Sequence, residues 1–490
     1  MIPGEPEGEP GVDEAFEVED PEHSAAIPAA AIASRATPAA VARPRRLRAR
    51  SEREIWQLAW PAILSQMLAS VVSLIDIAMI GRLGTDALAA VGYATQFQFL
   101  TQSILYAVGT ACVALMARSI GAGQPGPARS ALAASLGVTT LLAAGVTAVV
   151  LLVPRQLLAL LDAPAAVVDL AIPYFRLTLG STLLLGVAVT FEHGFRADRD
   201  TRTPMRIAIA VTVVKTFLNA LLIFGLLGFP RLDLVGAGIA TLVAQVVGFG
   251  LFMAEVRRRG RDSPLRLGWR DLRGARLQIR EVVRISLPAV AERVLMNLAI
   301  MAYFTLIGAY GSAAIAAYTV GVRILSFSWL PGFGFSIASA TLVGQKLGAS
   351  DPHGAGRSGW RAARLAVITS SLLGIAYALA RVPLAELFTH DPAVISAMEP
   401  FMLMLALAQP FMGLHFTLGG ALRGAGDTVT PLWAAALGSW GVRVPAAFVL
   451  ARVLELDVVW VWMPLIGDHI LRSIWMSWAF RRGRWKTRRV

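Results

Sequence analysis

Long apolar runs recur along almost the whole chain, and they constrain its fold more than any other feature. One reads SALAASLGVTTLLAAGVTAVVLLV at 130–153, and another PAVAERVLMNLAIMAYFTLIG at 288–308. A helix needs about 20 such residues to cross the hydrocarbon core of a bilayer. The chain is 56% hydrophobic and 16% charged, whereas soluble domains carry about 25% charged residues. The runs predict an all-α membrane protein.

Twelve transmembrane helices are expected from these runs. They cover roughly residues 55–80, 86–117, 130–153, 166–192, 204–228, 235–256, 282–308, 312–344, 359–381, 394–420, 431–453 and 458–480.

The formal net charge of +13 is distributed unevenly between the two sides of the membrane. Basic residues concentrate in 43–53, 196–206, 257–280 and 481–490, whereas the loops on the other side carry one arginine each or none. By the positive-inside rule both termini are expected in the cytoplasm. The basic side would face anionic lipid headgroups. The charge is therefore a topology signal, and nucleic-acid binding is not expected.

Enzymatic and cofactor motifs are not found in the sequence. Cys112 is the only cysteine and lies in an apolar run, so neither a disulfide framework nor a thiol metal site is expected. There is no phosphate-binding G-x-x-x-x-G-K-[ST] loop and no H-E-x-x-H pair. The first 50 residues, rich in Glu, Pro and Ala at their start, are interpreted as a disordered cytoplasmic tail. We expect no enzyme and no cofactor.

An internal repeat organises the chain. RADRDTRTP at 196–204 matches RGAGDTVTP at 423–431, at an offset of 227 residues. The same offset pairs Pro61 with Pro288 and Gly121 with Gly348. The repeat predicts two homologous six-helix lobes, 51–258 and 282–490, joined by a cytoplasmic linker at 259–281.

Six helices is an even number, so both lobes enter the membrane in the same sense. Parallel repeats of this kind are related by an axis along the membrane normal. Two such bundles facing one another enclose a central cleft that opens to either side in turn. This architecture indicates a transporter.

The repeated turn has two interpretations. Thr203 and Thr430 suit the helix N-cap position, ahead of a proline in the first helical turn. In the first interpretation the turn is structural, and its arginines anchor at headgroups or pair with its aspartates. In the second, it helps to close the cytoplasmic side. The charged residues concerned are Arg196, Asp200, Arg423 and Asp427.

Four segments together resemble the multidrug and toxic compound extrusion (MATE) transporters. They read LIDIAMIGRLGTDALAAVG, TLVGQKLGAS, LRGAGDTVTP and RRGRWK. The resemblance covers about residues 52–487. It implies two six-helix lobes around a cleft, and export of small organic, often cationic, compounds driven by inward flow of protons or sodium ions.

Features of two branches of that family are mixed here. NorM-type members place acids in the first, seventh and tenth helices, and Asp76 and Glu292 resemble the first two. In the tenth helix His415 is the only titratable group. DinF-type members use the first-helix Asp with an Asn and an Asp four apart in the fifth helix. Asn219 matches that Asn, but Ile223 stands at the Asp position.

Asp76, Asn219 and Glu292 are therefore the predicted ion-coupling and cation-binding residues. An acid in the membrane is costly unless it faces a cavity or a partner. Asn219 is expected at a depth where it could hydrogen-bond Asp76, the one candidate sodium site. For Glu292 a structural ion pair with Arg293 or Arg323 is equally open, and His415 is a further candidate charge partner.

The predicted function is secondary active multidrug efflux by alternating access, in exchange for protons or sodium ions. The alternative is a flippase for lipid-linked oligosaccharides or cell-wall precursors, which would present cationic residues to a polyanionic lipid. We expect a functional monomer in the plasma membrane, the inner membrane of a bacterium.

Overall fold

The computed structural model describes residues 44–161, 163–387 and 392–488, and in these ranges the regular structure is helical without strands. The first six-helix half contains α1 (Pro44–Gly81), α2 (Thr85–Gly121), α3 (Pro125–Leu152), α4 (Pro154–Ala159), α5 (Ala165–Gly180), α6 (Thr182–Ala197), α7 (Arg202–Phe224) and α8 (Asp233–Arg258). The second half contains α9 (Trp269–Ile307), α10 (Ser312–Gly348), α11 (Pro352–Leu379), α12 (Arg381–Glu386), α13 (Pro392–Gly424), α14 (Val429–Ala436), α15 (Val444–Phe448) and α16 (Val458–Arg482).

The predicted spans agree with these helices to within a few residues at most ends. The fourth span is α5 and α6 together, and the eleventh is α14 and α15 with π-helical segments at Leu437–Arg443 and Val449–Val453. Among the described residues, 11 helices are long and apolar enough to cross a membrane. The twelfth expected span, α16, has 25 residues. It carries Asp468, His469 and Arg472 in its middle, which lowers its hydropathy.

Two predicted segments are only partly supported. Of the predicted tail, residues 1–43 lie outside the described residues, and the remainder belongs to α1. The predicted linker is helical from Trp269 onward, so only 259–268 connects α8 to α9. Asp271 favours this early start, because its Oδ2 accepts a hydrogen bond from the Gly268 amide at 2.8 Å.

Turns between the first two helices of each half explain part of the repeat. Gly84 and Gly311 have φ angles of 113° and 86°. Side chains with a Cβ rarely adopt these angles. Each glycine directly precedes a long helix, α2 or α10, so both halves need glycine at this position.

Residues 50–490 form one compact unit, in which α1 is shared between the lobes. We call the end containing the turns 198–201 and 425–428 the inner end, and the opposite one the outer end. In the inner half of α1, Ile55 and Ala59 pack with Phe335 and Ala366 of the second lobe. In its outer half, Ile80 belongs to the core of the first lobe.

The equivalent helix α9 crosses in the same way. Its inner residues Val282 and Ile285 pack into the core of the first lobe, whereas Tyr303 and Ile307 pack into that of the second. The sequence boundaries 51–258 and 282–490 therefore describe the repeat. In the packing, the inner half of α1 belongs to the second lobe and the inner half of α9 to the first.

Helices α2 and α10 meet closely at the inner end. A Cβ on Gly121 would lie 1.9 Å from the Gln345 carbonyl oxygen, and one on Gly348 would lie 1.9 Å from that of Arg118. The two backbones are in contact here because neither glycine has a side chain. Side chains add to the contact, since Thr341 Oγ1 donates to the carbonyl of Arg196 at 2.9 Å. This junction joins the two lobes.

Toward the outer end the same face of α10 is exposed. Gly348 contacts α2 at the inner junction, and Arg323 precedes Gly348 by 25 residues, about seven helical turns. Arg323 thus lies on the face that packs against the first lobe at the inner end, yet its side chain is exposed. On α2, Gln96 and Phe99 are exposed as well. We call this space between the outer halves of α2 and α10 the cleft.

Gly121→Ala is predicted to destabilise the inner junction. The added methyl group must displace a backbone carbonyl, and overpacking of this kind costs about 1–3 kcal/mol. Gly92→Ala in the same helix is the matched control, because a Cβ there meets no atom within 4 Å. Thermal unfolding in detergent should show a lower unfolding temperature for Gly121→Ala alone. Equal unfolding temperatures for the two variants would contradict the proposed role of the close contact.

Candidate ion-coupling and substrate site

Asp76, in the last two turns of α1, contacts two residues of α7. Asn219 Nδ2 donates to Asp76 Oδ1 at 2.6 Å, and Lys215 Nζ donates to Asp76 Oδ2. Lys215 and Asn219 are four residues apart, so they lie on one face of α7. The side chains of Lys215 and Asp76 are 23% and 15% exposed. Asn219 is buried, and its Oδ1 has no hydrogen-bond partner.

This cluster explains how an acid is tolerated among apolar neighbours. An unpaired carboxylate at the centre of a membrane helix costs about 3 kcal/mol on insertion scales. The Lys215 ammonium compensates the charge and donates to one oxygen of Asp76, while the Asn219 amide donates to the other. Both side chains of the pair remain partly exposed.

The second lobe has no equivalent of this cluster. The repeat offset of 227 residues places Tyr303, Val442 and Ala446 at the positions of Asp76, Lys215 and Asn219. Tyr303 is buried, and its hydroxyl donates to the Val461 carbonyl at 2.6 Å. Because the other lobe adopts the same helix arrangement without them, the three polar residues are not required by the shared fold.

Glu292 has a different partner from the two that were predicted. Its Oε1 accepts a hydrogen bond from Arg423 Nη2, and the side chains of Arg423 and Glu292 are 20% and 15% exposed. Arg323 lies in the cleft on α10, and Arg293 places its guanidinium 5.9 Å from the centre of the Tyr106 ring. Arg423 of α13 is thus the hydrogen-bonded partner of Glu292, while the charge of Arg293 also interacts with this carboxylate.

His415 also has a partner other than Glu292. Its Nε2 lies 3.1 Å from Nδ1 of His469, and the two rings are stacked. Next to this pair, Asp468 is fully buried and paired with two arginines. Arg443 approaches it at 2.5 Å, and Arg472 lies one turn further along α16. His415 therefore belongs to a buried polar network of the second lobe.

The first repeated turn is held by its aspartate. Asp200 accepts hydrogen bonds from the backbone N–H of Thr203 at 2.9 Å and from its hydroxyl at 2.7 Å. Burial by itself raises the pKa of Asp200, but the hydrogen bonds from Thr203 and the charge of Arg259 outweigh it and lower that pKa. Arg196 pairs with Glu192 instead of Asp200. The predicted Thr203 N-cap was wrong, because the aspartate accepts the bonds.

The second turn repeats this arrangement. Asp427 accepts hydrogen bonds from the Thr430 backbone N–H at 3.1 Å and from its hydroxyl at 2.7 Å. Arg488 pairs with Asp427 at 2.6 Å, so Arg423 is left for Glu292. In each lobe, an arginine just after the last helix pairs with the aspartate of the turn. These pairs are Arg259 with Asp200 and Arg488 with Asp427. This geometry supports the structural interpretation of the motif, and a part in closing the inner side stays a prediction.

Lys215 lies outside the predicted ion-coupling set, although the sequence offers it as one of several charged candidates within the apolar helices. The family pattern directed attention to the position one turn after Asn219, where this chain has Ile223. The charged residue lies one turn before Asn219 instead. A lysine within an apolar helix, four residues from an asparagine, was the available signal.

Within the three described ranges, no cluster of three or more His, Cys, Asp or Glu side chains could hold a metal ion. At Asp76 both carboxylate oxygens accept N–H donors.

The chain is similar to known proteins over most of its length. A family model described as MatE matches residues 61–221 and again 288–449, so the two matches begin one repeat offset apart. The chain belongs to the MATE family. Its members are multi-pass membrane transporters and not enzymes, and they need no bound cofactor.

Individual relatives extend the similarity over most of the chain. "Probable multidrug resistance protein NorM" of Thermotoga maritima is 28% identical over 441 residues, covering 89% of this chain and 94% of that protein. The protein of the same name from Bradyrhizobium diazoefficiens is 30% identical over 452 residues, with the same coverage. A mutant of the Vibrio cholerae MATE transporter VcmN shares the fold at a TM-score of 0.83 and 21% identity, covering 90% of this chain and 99% of that one.

Asp76→Asn is predicted to lower stability, and the double variant Asp76→Asn/Lys215→Met to restore part of it. The single change leaves Lys215 without a counter-charge, at a cost of about 2–3 kcal/mol, less than for a fully buried pair. Unfolding temperatures in detergent measure both effects.

Arg155→Gln provides the matched control. It breaks an ion pair with Asp169 in which the side chains are 68% and 70% exposed. Such a pair contributes about 1 kcal/mol or less. If Asp76→Asn destabilised no more than this control, Lys215 would not be compensating the charge of Asp76.

Proposed function

We propose that the protein is a secondary active exporter of small organic, drug-like compounds that works by alternating access. The two lobes meet at the inner end through α2 and α10, whereas Gln96, Phe99 and Arg323 are exposed in the outer halves of these helices. A cleft open to one side and closed by a backbone junction on the other is one state of such a cycle. The names of the NorM relatives support multidrug efflux, and they do not favour the flippase alternative.

The observation that carries the proposal is the cluster of Asp76, Lys215 and Asn219. A proton on Asp76 removes the charge that holds Lys215, so the contact between α1 and α7 weakens. The outer half of α1 packs in the first lobe and its inner half packs against the second. A movement of α1 at Asp76 is therefore transmitted to the second lobe. Asp76 is thus the proposed coupling carboxylate, with Lys215 as its internal counter-cation and Asn219 as a positioning residue.

A proton fits this cluster better than a sodium ion. Sodium requires several oxygen ligands, yet each carboxylate oxygen of Asp76 already accepts an N–H donor. The Lys215 ammonium has only donors, and it lies beside Asp76 where a bound sodium ion would have to be. The buried Oδ1 of Asn219 is the one acceptor of this cluster without a partner. It suits the hydroxyl of a protonated carboxyl group after a small rotation.

Proton coupling predicts that an imposed pH gradient drives transport and that a sodium gradient at constant pH does not. Purified protein in liposomes would be tested with norfloxacin, which carries both a carboxylate and an amine. Asp76→Asn should reduce gradient-driven accumulation to the level of protein-free liposomes, since the exchangeable proton is lost. Val213→Ala, at an exposed position of the same helix, is the control and should retain transport.

Several results would contradict parts of this account. Accumulation driven by sodium alone would reject proton coupling, and wild-type accumulation by Asp76→Asn would reject the role of Asp76. A lack of accumulation under either gradient would argue against drug export itself.

The proposed orientation places both termini in the cytoplasm of a bacterial cell and the inner end toward anionic headgroups. It rests on the basic segments at 196–206, 257–280 and 481–490. We further propose a functional monomer, since the two lobes of a single chain enclose the cleft. A reporter enzyme that is active only in the cytoplasm, fused after residue 490, should be active. Activity of a periplasm-specific reporter at that position would reverse the orientation.

A further inference from the structure

Three carboxylates within the described transmembrane helices are paired with the chain's own cations. Asp76 pairs with Lys215, and Glu292 pairs with Arg423. Asp468 pairs with Arg443 and Arg472. Further cations in these helices are Arg176, Arg293 and Arg323. A cationic compound entering the cleft would therefore have to displace one of the chain's own charges.

One cation near the cleft, Arg323, has no carboxylate partner in the described ranges. Arg293 differs from it, because its charge interacts with Glu292 and with the Tyr106 side chain of the opposite lobe. Arg323 is exposed on the outer half of α10, on the side that turns toward the first lobe. An arginine offers a planar set of donors that matches carboxylate, sulfonate and phosphate groups.

Arg323 is not required by the fold. The equivalent position of the first lobe is Gln96, at the same place on α2 and also exposed. The shared helix arrangement thus accepts an uncharged residue here. A charged side chain in a membrane-spanning bundle that has no partner within the protein is expected to bind a ligand or an ion.

We infer that the cleft selects soluble organic anions, with Arg323 as an anion-binding residue. The inference rests on the proposed transport function, because it assigns a substrate class to the same cleft. It replaces the sequence-based expectation that Asp76 and Glu292 favour cationic substrates, since the charges of both are compensated by Lys215 and Arg423.

Binding to the purified full chain in a non-ionic detergent tests this inference. Fluorescence anisotropy would be measured with carboxyfluorescein, an anion, and with ethidium, a cation. Arg323→Gln introduces the residue found at the equivalent position of the first lobe, and Arg323→Lys keeps the charge. Arg176→Gln is the matched control, because Arg176 is another exposed arginine, on α5, which packs against α2, α3 and α8.

Wild-type protein should bind carboxyfluorescein more tightly than ethidium. Arg323→Gln should weaken carboxyfluorescein binding about fivefold, Arg323→Lys by less than this, and Arg176→Gln by less than about twofold. Ethidium binding should not weaken in Arg323→Gln. Tighter binding of ethidium by the wild type, or unchanged carboxyfluorescein binding in Arg323→Gln, would overturn the inference.

The assay separates this inference from the proposed function. It measures binding without any gradient, so failure of proton-driven export would leave an anion preference intact. Conversely, loss of the preference in a protein that still exports norfloxacin would reject the substrate class and retain the exporter.

Discussion

A carboxylate inside a membrane-spanning bundle needs a compensating charge, and this constraint organises the polar interior of the protein. Asp76 pairs with Lys215 on the neighbouring face of α7, and Asp468 pairs with arginines of its own lobe. Glu292 pairs with Arg423. Since these pairs do not bridge α2 and α10, charge compensation survives a change in the angle between the lobes. The lobes can therefore move as units without exposing an unpaired charge.

The junction at the inner end suits such a movement. It is made by glycines that bring two backbones into contact, and by short hydrogen bonds such as that from Thr341 to the Arg196 carbonyl. Contacts of this type separate without leaving a buried charge unpaired, because water can replace each hydrogen bond. The crossing helices α1 and α9 keep the lobes connected, and α1 carries Asp76 near its outer end.

The fold was largely predictable from the sequence, because apolar length and the 227-residue repeat depend on local composition. The crossing of α1 and α9 was not, since hydropathy gives the position of a helix but not its neighbours. The contact between Asn219 and Asp76 agrees with an expectation from depth alone. The partners of Glu292 and Asp200 were missed, because pairing depends on tertiary geometry between helices distant in sequence. Lys215 was only a lesser candidate, because its sign and position depart from the family pattern.

The central claim is that protonation of Asp76 changes the angle between the lobes. Double electron–electron resonance tests it most directly, by measuring the distance between spin labels at Gln96→Cys and Ser326→Cys across the cleft. A second pair would be placed at Ala122→Cys and Ala349→Cys across the inner junction. Cys112, the only native cysteine, is buried and would be replaced by serine. Lowering the pH should move the two distances in opposite directions, and Asp76→Asn should hold the low-pH distances at every pH. Distances that ignore pH, or that change together, would contradict the account.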